Sequence, residues 1–291
     1  MKFNKLAGLC ILAVVGLSNS AHANDVSHIR PVTSSYHQTY PAGAGSLDKD
    51  FPFLSLATSQ YAFGEVWERT VLDEKTKHLA AVAAYAAVGR DAYPQMQLHA
   101  RLALQEGVSV EELKEIIYLT TVTAGFPKAL NASIALKDVI GAQQDAIPVA
   151  AKSPDNLLKN SDRRENGLQV MADLSQKPKF AVNDHPVLRQ LEKDYPFLIS
   201  ATVDYSLGDV WGRTVLSPAT RQLAAIAAFA TIGGDAWPQM KVHARYALQM
   251  GVPAEQLKEI IYMVTVTGGF PKALNGAAQL NALLEEYAVS R

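Results

Sequence analysis

The chain has 291 residues, of which 48% are apolar and 19% are charged, and its 27 basic residues nearly balance its 28 acidic ones. The apolar fraction suffices for a substantial core, and the length fits one large domain or two of ordinary size. A net charge of −1 provides no basic field for a nucleic-acid backbone or an anionic membrane surface. We therefore expect neither as a partner.

The N-terminal segment has the pattern of a secretory signal peptide. Lys2 and Lys5 precede an apolar run from Leu6 to Leu17, and the motif Ala21-His22-Ala23 has the small-x-small pattern of a cleavage site. The apolar run is shorter than the roughly 20 residues that a membrane-spanning helix needs. We predict cleavage after Ala23, a periplasmic or secreted location, and no stable membrane insertion of the mature chain.

The only cysteine, Cys10, lies inside this segment. Its removal would leave the mature chain without a disulfide, a thiolate nucleophile, a CxxC redox pair or a cysteine-bound metal. No His, Asp and Glu cluster has metal-ligand spacing, and no glycine-rich phosphate loop follows a strand. We therefore expect neither a metal nor a cofactor.

A segment of the first half of the chain recurs in the second half. The residues 91–107, DAYPQMQLHARLALQEG, return as 235–251, DAWPQMKVHARYALQMG. Around them, residues 51–136 align without a gap on residues 195–280, and roughly three positions in five are identical. Such self-similarity indicates a tandem duplication of one packed unit, whose two copies lie against each other as pseudo-equivalent halves of an internal dimer.

The duplication and the local composition divide the chain into five predicted segments. A polar arm with several Pro and Gly residues follows the signal peptide, and a charged linker separates the two copies. The predicted segments are 1–23 (signal peptide), 24–46 (N-terminal arm), 47–141 (repeat 1), 142–160 (linker) and 161–291 (repeat 2).

The apolar residues of each repeat have helical spacing, and none of the segments alternates with period two. In repeat 1, an amphipathic helix over 47–70 precedes a helix over 79–88 that is apolar on all sides and should be buried. Asp73 is the predicted N-cap of the second helix, Ser109 starts a capping box, and Asp91 should cap the helix that carries His99. The predicted fold class is all-α.

Three motifs occur in the same order in both repeats. In repeat 1 they are GEVWER (64–69), HARLALQEGV (99–108) and AGFP (124–127). In repeat 2 they are GDVWGR (208–213), HARYALQMGV (243–252) and GGFP (268–271). This set resembles the carboxymuconolactone decarboxylase family. The resemblance implies two tandem helical domains of the fold shared with alkylhydroperoxidase D-like proteins, assembled as ring-like trimers or hexamers.

The resemblance implies one of two chemistries. The decarboxylase branch removes CO₂ from a lactone dicarboxylate without a cofactor, whereas the peroxidase branch uses a CxxC motif shortly before a histidine. The two thiol positions correspond here to Ala92 and Gln95, and in repeat 2 to Ala236 and Gln239. Thiol peroxidase chemistry is therefore not expected.

Two positions depart from the decarboxylase pattern in both repeats. A histidine or glutamine that the family often has in the fourth helix is Leu119 in repeat 1 and Met263 in repeat 2. The tyrosine that the family usually has before Ala-Gly is Thr123 in repeat 1 and Thr267 in repeat 2. This change removes a polar group from the expected pocket. A second hypothesis is therefore a periplasmic binding or scaffold protein that keeps the fold without the reaction. A third, a thiol-independent peroxide or stress role, rests on superfamily analogy alone.

His99 and His243 are the candidate catalytic residues. Decarboxylation without a cofactor needs a donor at the oxygen that becomes negative and a proton for the carbon that loses CO₂, and histidine can supply both. Gln95, Met96 and Ala103 lie one turn away from His99, so a mostly apolar face should lower its pKa and leave a neutral donor. The alternative is a core histidine bonded to a backbone carbonyl.

Two further sets of residues are candidates for substrate binding. Arg69 and Arg213 can anchor a substrate carboxylate through the guanidinium fork, or they can form i,i+4 ion pairs with Glu65 and Asp209 on a helix surface. Four aromatic residues can wall an apolar pocket or can simply belong to the core. These residues are Trp67, Tyr93, Trp211 and Trp237.

The first hypothesis is an exported, cofactor-free decarboxylase-like enzyme that acts on a small lactone or cyclic carboxylic acid. Its expected partners are this small molecule and further copies of the same chain. Three chains with two repeats each would imitate a ring of six single domains, so a trimer is the predicted assembly.

Overall fold

The computed structural model describes residues 49–142 and 160–289. The predicted signal peptide, the N-terminal arm and nearly all of the predicted linker lie outside these ranges. Within them the chain is helical and has no β-strand, as the sequence predicts. None of the helices in these ranges is long and apolar enough to cross a membrane.

Each repeat has the same order of helices: a short α-helix that continues into a π-helical segment, and then four longer α-helices. Two additional helices separate the repeats. Repeat 1 contains α1 (Pro52–Ala57) with its π-helical continuation (Thr58–Trp67), α2 (Glu74–Val88), α3 (Tyr93–Gln105), α4 (Val110–Thr123) and α5 (Phe126–Ala142). The additional helices are α6 (Asn160–Leu174) and α7 (Pro186–Asp194). Repeat 2 contains α8 (Pro196–Ser200) with its π-helical continuation (Ala201–Trp211), α9 (Pro218–Ile232), α10 (Trp237–Gln249), α11 (Ala254–Thr267) and α12 (Phe270–Val289).

The first helix of each repeat is not the single amphipathic α-helix that its spacing predicts. Its second part forms i→i+5 hydrogen bonds and ends at Trp67 in repeat 1 and at Trp211 in repeat 2. Such π-helical segments are rare and concentrate at functional sites. The apolar spacing does not distinguish the two helix types, because both place side chains three to five residues apart on one face.

Helix α2 begins as the sequence predicts, since the Asp73 side chain accepts a hydrogen bond from the backbone N–H of Thr76 at 2.9 Å. It ends at Gly89, whose φ of 105° favours glycine. The prediction that Asp91 caps the next helix is wrong. This aspartate lies within a 3₁₀ turn over Arg90–Ala92, and the N-cap of α3 is Ala92, which makes no side-chain hydrogen bond.

The two repeats share one hydrophobic core. Helices α2 and α9 lie side by side at its centre and form the most extensive contact between two helices in the described ranges. Helix α2 has six buried alanine residues and α9 has five, and these small side chains allow the two backbones to approach closely. A helix that is apolar on all sides must be covered on all sides, so α2 needs α9 in addition to its own repeat. The predicted internal dimer is therefore a single packed body.

Crossed contacts tie the first helix of each repeat to the fourth helix of the other. The hydroxyl of Tyr61 donates to Oγ1 of Thr265 at 2.7 Å, and the hydroxyl of Tyr205 donates to Oγ1 of Thr121 at 2.8 Å. These are the same interaction with the repeats exchanged. The two copies are therefore related by a pseudo-twofold axis.

The predicted substrate-binding arginines also form contacts that cross from one repeat to the other. Nε of Arg69 lies 2.9 Å from both carboxylate oxygens of Glu259, and its guanidinium lies 4.6 Å from the ring centre of Tyr262. Arg213 forms the equivalent pair with Glu115 at 2.8 and 2.9 Å. Both glutamates are buried. The ion pairs thus join the two repeats, whereas the sequence suggested pairs along one helix.

Within residues 49–142 and 160–289, helix α6 packs along the π-helical segment of repeat 2 and not along that of repeat 1. Arg163 pairs with Asp209 at 2.6 Å, and Nδ2 of Asn166 donates to the carbonyl oxygen of Gly208 at 2.6 Å. A Cβ atom on Gly208 would lie 2.3 Å from the carbonyl oxygen of Arg163, so this contact requires glycine. Asp209, the sequence-based alternative partner of Arg213, is thereby engaged by α6.

Replacing Arg69 by methionine is expected to lower the free energy of unfolding by about 3 kcal/mol, because it removes the guanidinium from a carboxylate that is only 1% exposed. Urea unfolding with an unchanged m-value measures this loss. The control Lys114→Met removes a surface pair with Glu111 and should cost less than about 1 kcal/mol. Equal losses in the two variants would contradict the structural role of the crossed pair.

Candidate functional site

Aromatic rings from two other segments enclose the side chain of His99 on α3. Its ring centre is 4.4 Å from that of Trp67, at the end of the π-helical segment, and 5.6 Å from that of Tyr85 on α2. Its Nδ1 atom lies 3.1 Å from Nδ1 of His78, also on α2, and the residue is 2% exposed. The hydrogen-bond partner is therefore a titratable side chain, not the backbone carbonyl of the alternative interpretation.

Repeat 2 builds the same site with different neighbours. The ring of His243 stacks on Trp211 with centres 4.6 Å apart, and Phe229 lies 5.3 Å away. Nδ1 of His243 lies 2.7 Å from Oε1 of Gln222, which occupies the position of His78. His243 is partly exposed, so this site is more open to solvent than the site of repeat 1.

Burial lowers the pKa of the three histidines, so all of them are neutral at physiological pH. The pKa falls to about 4 for His78 and for His243. For His99, burial and then the nearby His78 and Lys77 hold the pKa well below its usual value. A neutral imidazole has one N–H and one lone pair.

The Gln222 contact determines which nitrogen of His243 carries the proton. A carbonyl oxygen only accepts, so Nδ1 of His243 is the donor in the 2.7 Å contact with Oε1. Nε2 then presents its lone pair. The sequence predicts a neutral hydrogen-bond donor at this position, whereas the Gln222 contact makes Nε2 of His243 a proton acceptor.

A buried cation holds the end of each π-helical segment. Nζ of Lys77 donates to the carbonyl oxygens of Trp67 and Arg69 at 2.7 and 2.6 Å. In repeat 2, Arg221 donates to the carbonyl oxygen of Trp211. The last carbonyl groups of a helix lack partners within the helix, so a cation there is favourable. These cations fix the backbone of the tryptophans that cover the histidines.

Four contributors to the two sites carry no recognised motif in the sequence: His78 and Tyr85 in repeat 1, and Gln222 and Phe229 in repeat 2. The sequence assigns no role to position 78, because the two repeats have different residues there. A signal is nevertheless present in the spacing. Positions 78 and 85 are two helical turns apart and therefore lie on one face of α2, the face that α3 covers.

The other two predicted aromatic residues lie away from these clusters. Tyr93 and Trp237 occupy the first turns of α3 and α10, about 9 Å along the helix axis from the histidines. The Tyr93 hydroxyl donates to the carbonyl oxygen of Lys128 at 3.2 Å. Trp237 lines a surface groove of about 460 Å³ together with Lys241 and Arg245. Their predicted role in substrate binding stays a prediction.

The threonines that replace the family tyrosine differ in their contacts. Oγ1 of Thr267 lies 2.7 Å from Oγ1 of Thr231 on α9. Thr123 instead donates to the carbonyl oxygen of Leu119 in its own helix at 3.3 Å, and repeat 1 has Ala87 at the position of Thr231. The two repeats therefore differ in polar groups at this position as well.

In the described part of the chain, no group of three or more His, Cys, Asp and Glu residues is arranged to hold a metal.

Replacing His78 by glutamine, the residue of repeat 2, is expected to flatten the dependence of stability on pH. The pKa of a histidine is about 6.5 when unfolded and about 4 here, so the unfolded chain binds the proton first as the pH falls. The contribution is complete above pH 6.5 and is lost between pH 6.5 and 4. Between pH 7 and 5 the wild type should lose about 2 kcal/mol more than the variant.

Urea unfolding at the two pH values measures this difference. The control His185→Gln changes an exposed histidine and should keep the pH dependence of the wild type. A His78→Gln variant with that same dependence would show that burial of His78 does not depress its pKa.

Comparison with known proteins places these residues in a family. The profile of the carboxymuconolactone decarboxylase family matches residues 54–138 and 197–282. A 4-carboxymuconolactone decarboxylase of Acinetobacter baylyi is 35% identical over 82 residues, which are 28% of this chain and 59% of that protein. A nitrosuccinic acid decarboxylase of Metarhizium robertsii is 30% identical over 87 residues, which are 30% of this chain and 59% of that protein.

The chain thus spans about three fifths of the length of the curated relatives it matches. Among solved structures, a Burkholderia xenovorans protein assigned as a gamma-carboxymuconolactone decarboxylase subunit is 25% identical, with a TM-score of 0.48. That match covers 87% of this chain and 92% of the other. The two profile matches together cover more than half of the sequence, and the chain belongs to the carboxymuconolactone decarboxylase family as a tandem of two family units.

Proposed function

We propose that the protein is an exported, cofactor-free decarboxylase that acts on a small lactone or cyclic carboxylic acid. The observation that carries this proposal is the histidine that each repeat packs against a tryptophan, His99 on Trp67 and His243 on Trp211. Two relatives are named as decarboxylases, which supports the reaction class. The proposed substrate class is supported by the name of the first relative, a 4-carboxymuconolactone decarboxylase.

The proposed reaction moves one electron pair and one proton. The histidine accepts the proton of the substrate's carboxylic acid at Nε2. The bond from carbon to the carboxylate then breaks, CO₂ leaves, and the electron pair moves to a conjugated carbonyl, which becomes an enolate. The imidazolium returns its proton to the carbon, so the product keeps the proton and the histidine is neutral again.

The surroundings of the histidine favour this sequence of steps. The imidazolium forms beside the developing enolate in a site where burial strengthens the attraction between the two charges. One well-placed donor to such an oxyanion is worth roughly 3 to 4 kcal/mol. The rings of Trp67 and Tyr85 cover His99 and keep water away from the enolate.

The proposal keeps Arg69 and Arg213 as anchors for a substrate carboxylate. The carboxylates that they hold in the structure are those of Glu259 and Glu115. Each arginine follows the tryptophan of its site by two residues, so the guanidinium is carried by the segment that covers the histidine. A substrate carboxylate would bind the guanidinium through the same kind of charge-assisted hydrogen bond.

A binding or scaffold protein of the same fold is the second candidate. It is favoured by the 2% exposure of His99 and by Thr123 in place of the family tyrosine. In this case a small carboxylate would bind with no release of CO₂, and the bound molecule would be recovered unchanged.

The double variant His99→Gln with His243→Gln is expected to release CO₂ two to three orders of magnitude more slowly than the wild type, because it loses the group that handles the proton. The assay uses a panel of small lactone acids and cyclic carboxylic acids with the chain from Asn24 onward. Each single variant then assigns the activity to one repeat.

His185→Gln serves as the control, since this exposed histidine lies outside both clusters. An undiminished rate in the double variant would overturn the role of the histidines. Binding without turnover by the wild type would favour the scaffold.

We also propose that three chains form a closed ring. Large apolar side chains are exposed at equivalent positions of the two repeats, and exposed patches of this kind mark interaction surfaces. A contact between repeat 1 of one chain and repeat 2 of the next can close a ring. The exposed equivalents are Phe53 with Phe197, Leu54 with Leu198, Phe126 with Phe270, and Leu130 with Leu274.

The variant Phe53→Ser with Phe197→Ser is expected to dissociate this ring, because it removes two side chains that are 82% and 83% exposed in the single chain. Light scattering at micromolar concentration measures the mass, which should fall from three chains to one. A wild type that is monomeric under the same conditions would contradict the proposed assembly.

The proposed export rests on the first 23 residues. N-terminal sequencing of the protein recovered from the periplasm or the medium should begin at Asn24, because the motif before it is a cleavage site. Protein that stays in the cytoplasm with Met1 in place would contradict the export.

A further inference from the structure

The two histidine sites differ in the groups that face Nδ1 of the candidate base. In repeat 1, three side chains lie in a row. Oε2 of Glu74 is 3.9 Å from Nε2 of His78, and Nδ1 of His78 is 3.1 Å from Nδ1 of His99. In repeat 2, the positions of the first two residues are taken by Pro218 and Gln222. Repeat 2 therefore lacks both titratable groups that precede the candidate base in the row.

The Glu74 carboxylate selects the tautomer of His78. A carboxylate attracts an N–H and repels a lone pair, so the single ring proton of neutral His78 favours Nε2. Nδ1 of His78 is then an acceptor, and the ring proton of His99 must lie on its own Nδ1 to form the 3.1 Å contact. Nε2 of His99 is left with its lone pair, as in His243.

Lys77 orients the carboxylate for this purpose. Its Nζ atom lies 3.0 Å from Oε1 of Glu74 and is held by two backbone carbonyl oxygens, so the other carboxylate oxygen faces His78. The other titratable groups that contact the row are Lys77 and Tyr85, both on α2.

We propose that Glu74 and His78 form a proton relay that serves His99 and that repeat 2 lacks. When His99 accepts a proton at Nε2, its Nδ1 proton passes to Nδ1 of His78, and the Nε2 proton of His78 passes to the Glu74 carboxylate. One proton enters at His99 and one arrives at Glu74, so repeat 1 stores the proton on the carboxylate and not as a lasting imidazolium. The reverse transfers bring a proton back to Nε2 of His99, which returns it to the carbon. The last step spans 3.9 Å and proceeds through a bridging water or a small rotation of the carboxylate.

The relay ends at the protein surface. The Glu74 side chain is 20% exposed, whereas His78 is 2% exposed, so the carboxylate exchanges its proton with water. In repeat 2, the amide of Gln222 accepts from His243 but has no group that titrates. A proton taken up by His243 therefore stays there as an imidazolium until the substrate takes it back.

This inference deepens the proposed function, since it assigns different proton handling to the two sites. Its test observes the ring nitrogens directly and uses no substrate, so it can fail or succeed independently of the decarboxylase assay. In protein labelled with ¹⁵N-histidine, long-range ¹H–¹⁵N correlation spectra near pH 7 report which nitrogen of each ring carries the proton. We expect Nε2–H for His78 and Nδ1–H for His99 and His243. A proton on Nδ1 of His78 would overturn the relay.

The variant Glu74→Pro gives repeat 1 the residue of repeat 2, in a first helical turn where proline is well tolerated and Asp73 still caps. It should convert His78 and His99 into tautomer mixtures and leave His243 unchanged. Exchange of the His99 ring proton with water should slow at least about tenfold. Glu74→Ala provides the same test if the proline variant does not fold. Spectra and exchange rates like those of the wild type would overturn the proposal.

The reciprocal variant, Pro218→Glu with Gln222→His, rebuilds the row in repeat 2 and should speed exchange of the His243 ring proton. His185→Gln identifies an exposed histidine in the spectra and should leave the other signals in place. Unchanged exchange at His243 in the reciprocal variant would show that the two added residues do not form a relay and would count against the one in repeat 1.

Discussion

The contact between α2 and α9 is the constraint on which the rest of the molecule depends. Both helices contain a stretch that is apolar on all sides and rich in alanine, so each one must be covered by the other as well as by its own repeat. Their approach brings the first helix of each repeat against the fourth helix of the other and places Arg69 beside Glu259. The same helices carry the side chains that face the candidate histidines, so the core and the two sites are built by one contact.

The local sequence predicts where helices begin and end, but it predicts poorly which distant side chains contact each other. The Asp73 cap and the Ser109 capping box act within three or four residues, and both form as the sequence predicts. The π-helical segment was not predictable, because its apolar spacing is compatible with an α-helix. The partner of Arg69 is distant in the sequence, and an i,i+4 rule takes account of near neighbours only. Packing between the two repeats places Arg69 beside Glu259 and not in a pair with Glu65.

The candidate sites show the same limit. His99 and Trp67 were found from motifs that recur in both repeats, and the structure places their rings in contact. His78 was not found, because a difference between the repeats gives no motif to recognise and because it lies just before the stretch 79–88 that is apolar on all sides. The structure shows what this difference between the repeats means for the two sites. A carboxylate and two imidazoles in one repeat, against a proline and an amide in the other, give two sites with one scaffold and unlike acid–base behaviour.

The pseudo-twofold axis also bears on how such a chain can change over time. In a dimer of two identical chains, every substitution is made twice, so a residue near the axis must suit both subunits at once. Here the two halves are encoded separately, and one half can have Gln222 where the other half has His78. Covalent linkage of the halves thereby removes the requirement of symmetry from a symmetric architecture, and the two sites are free to differ.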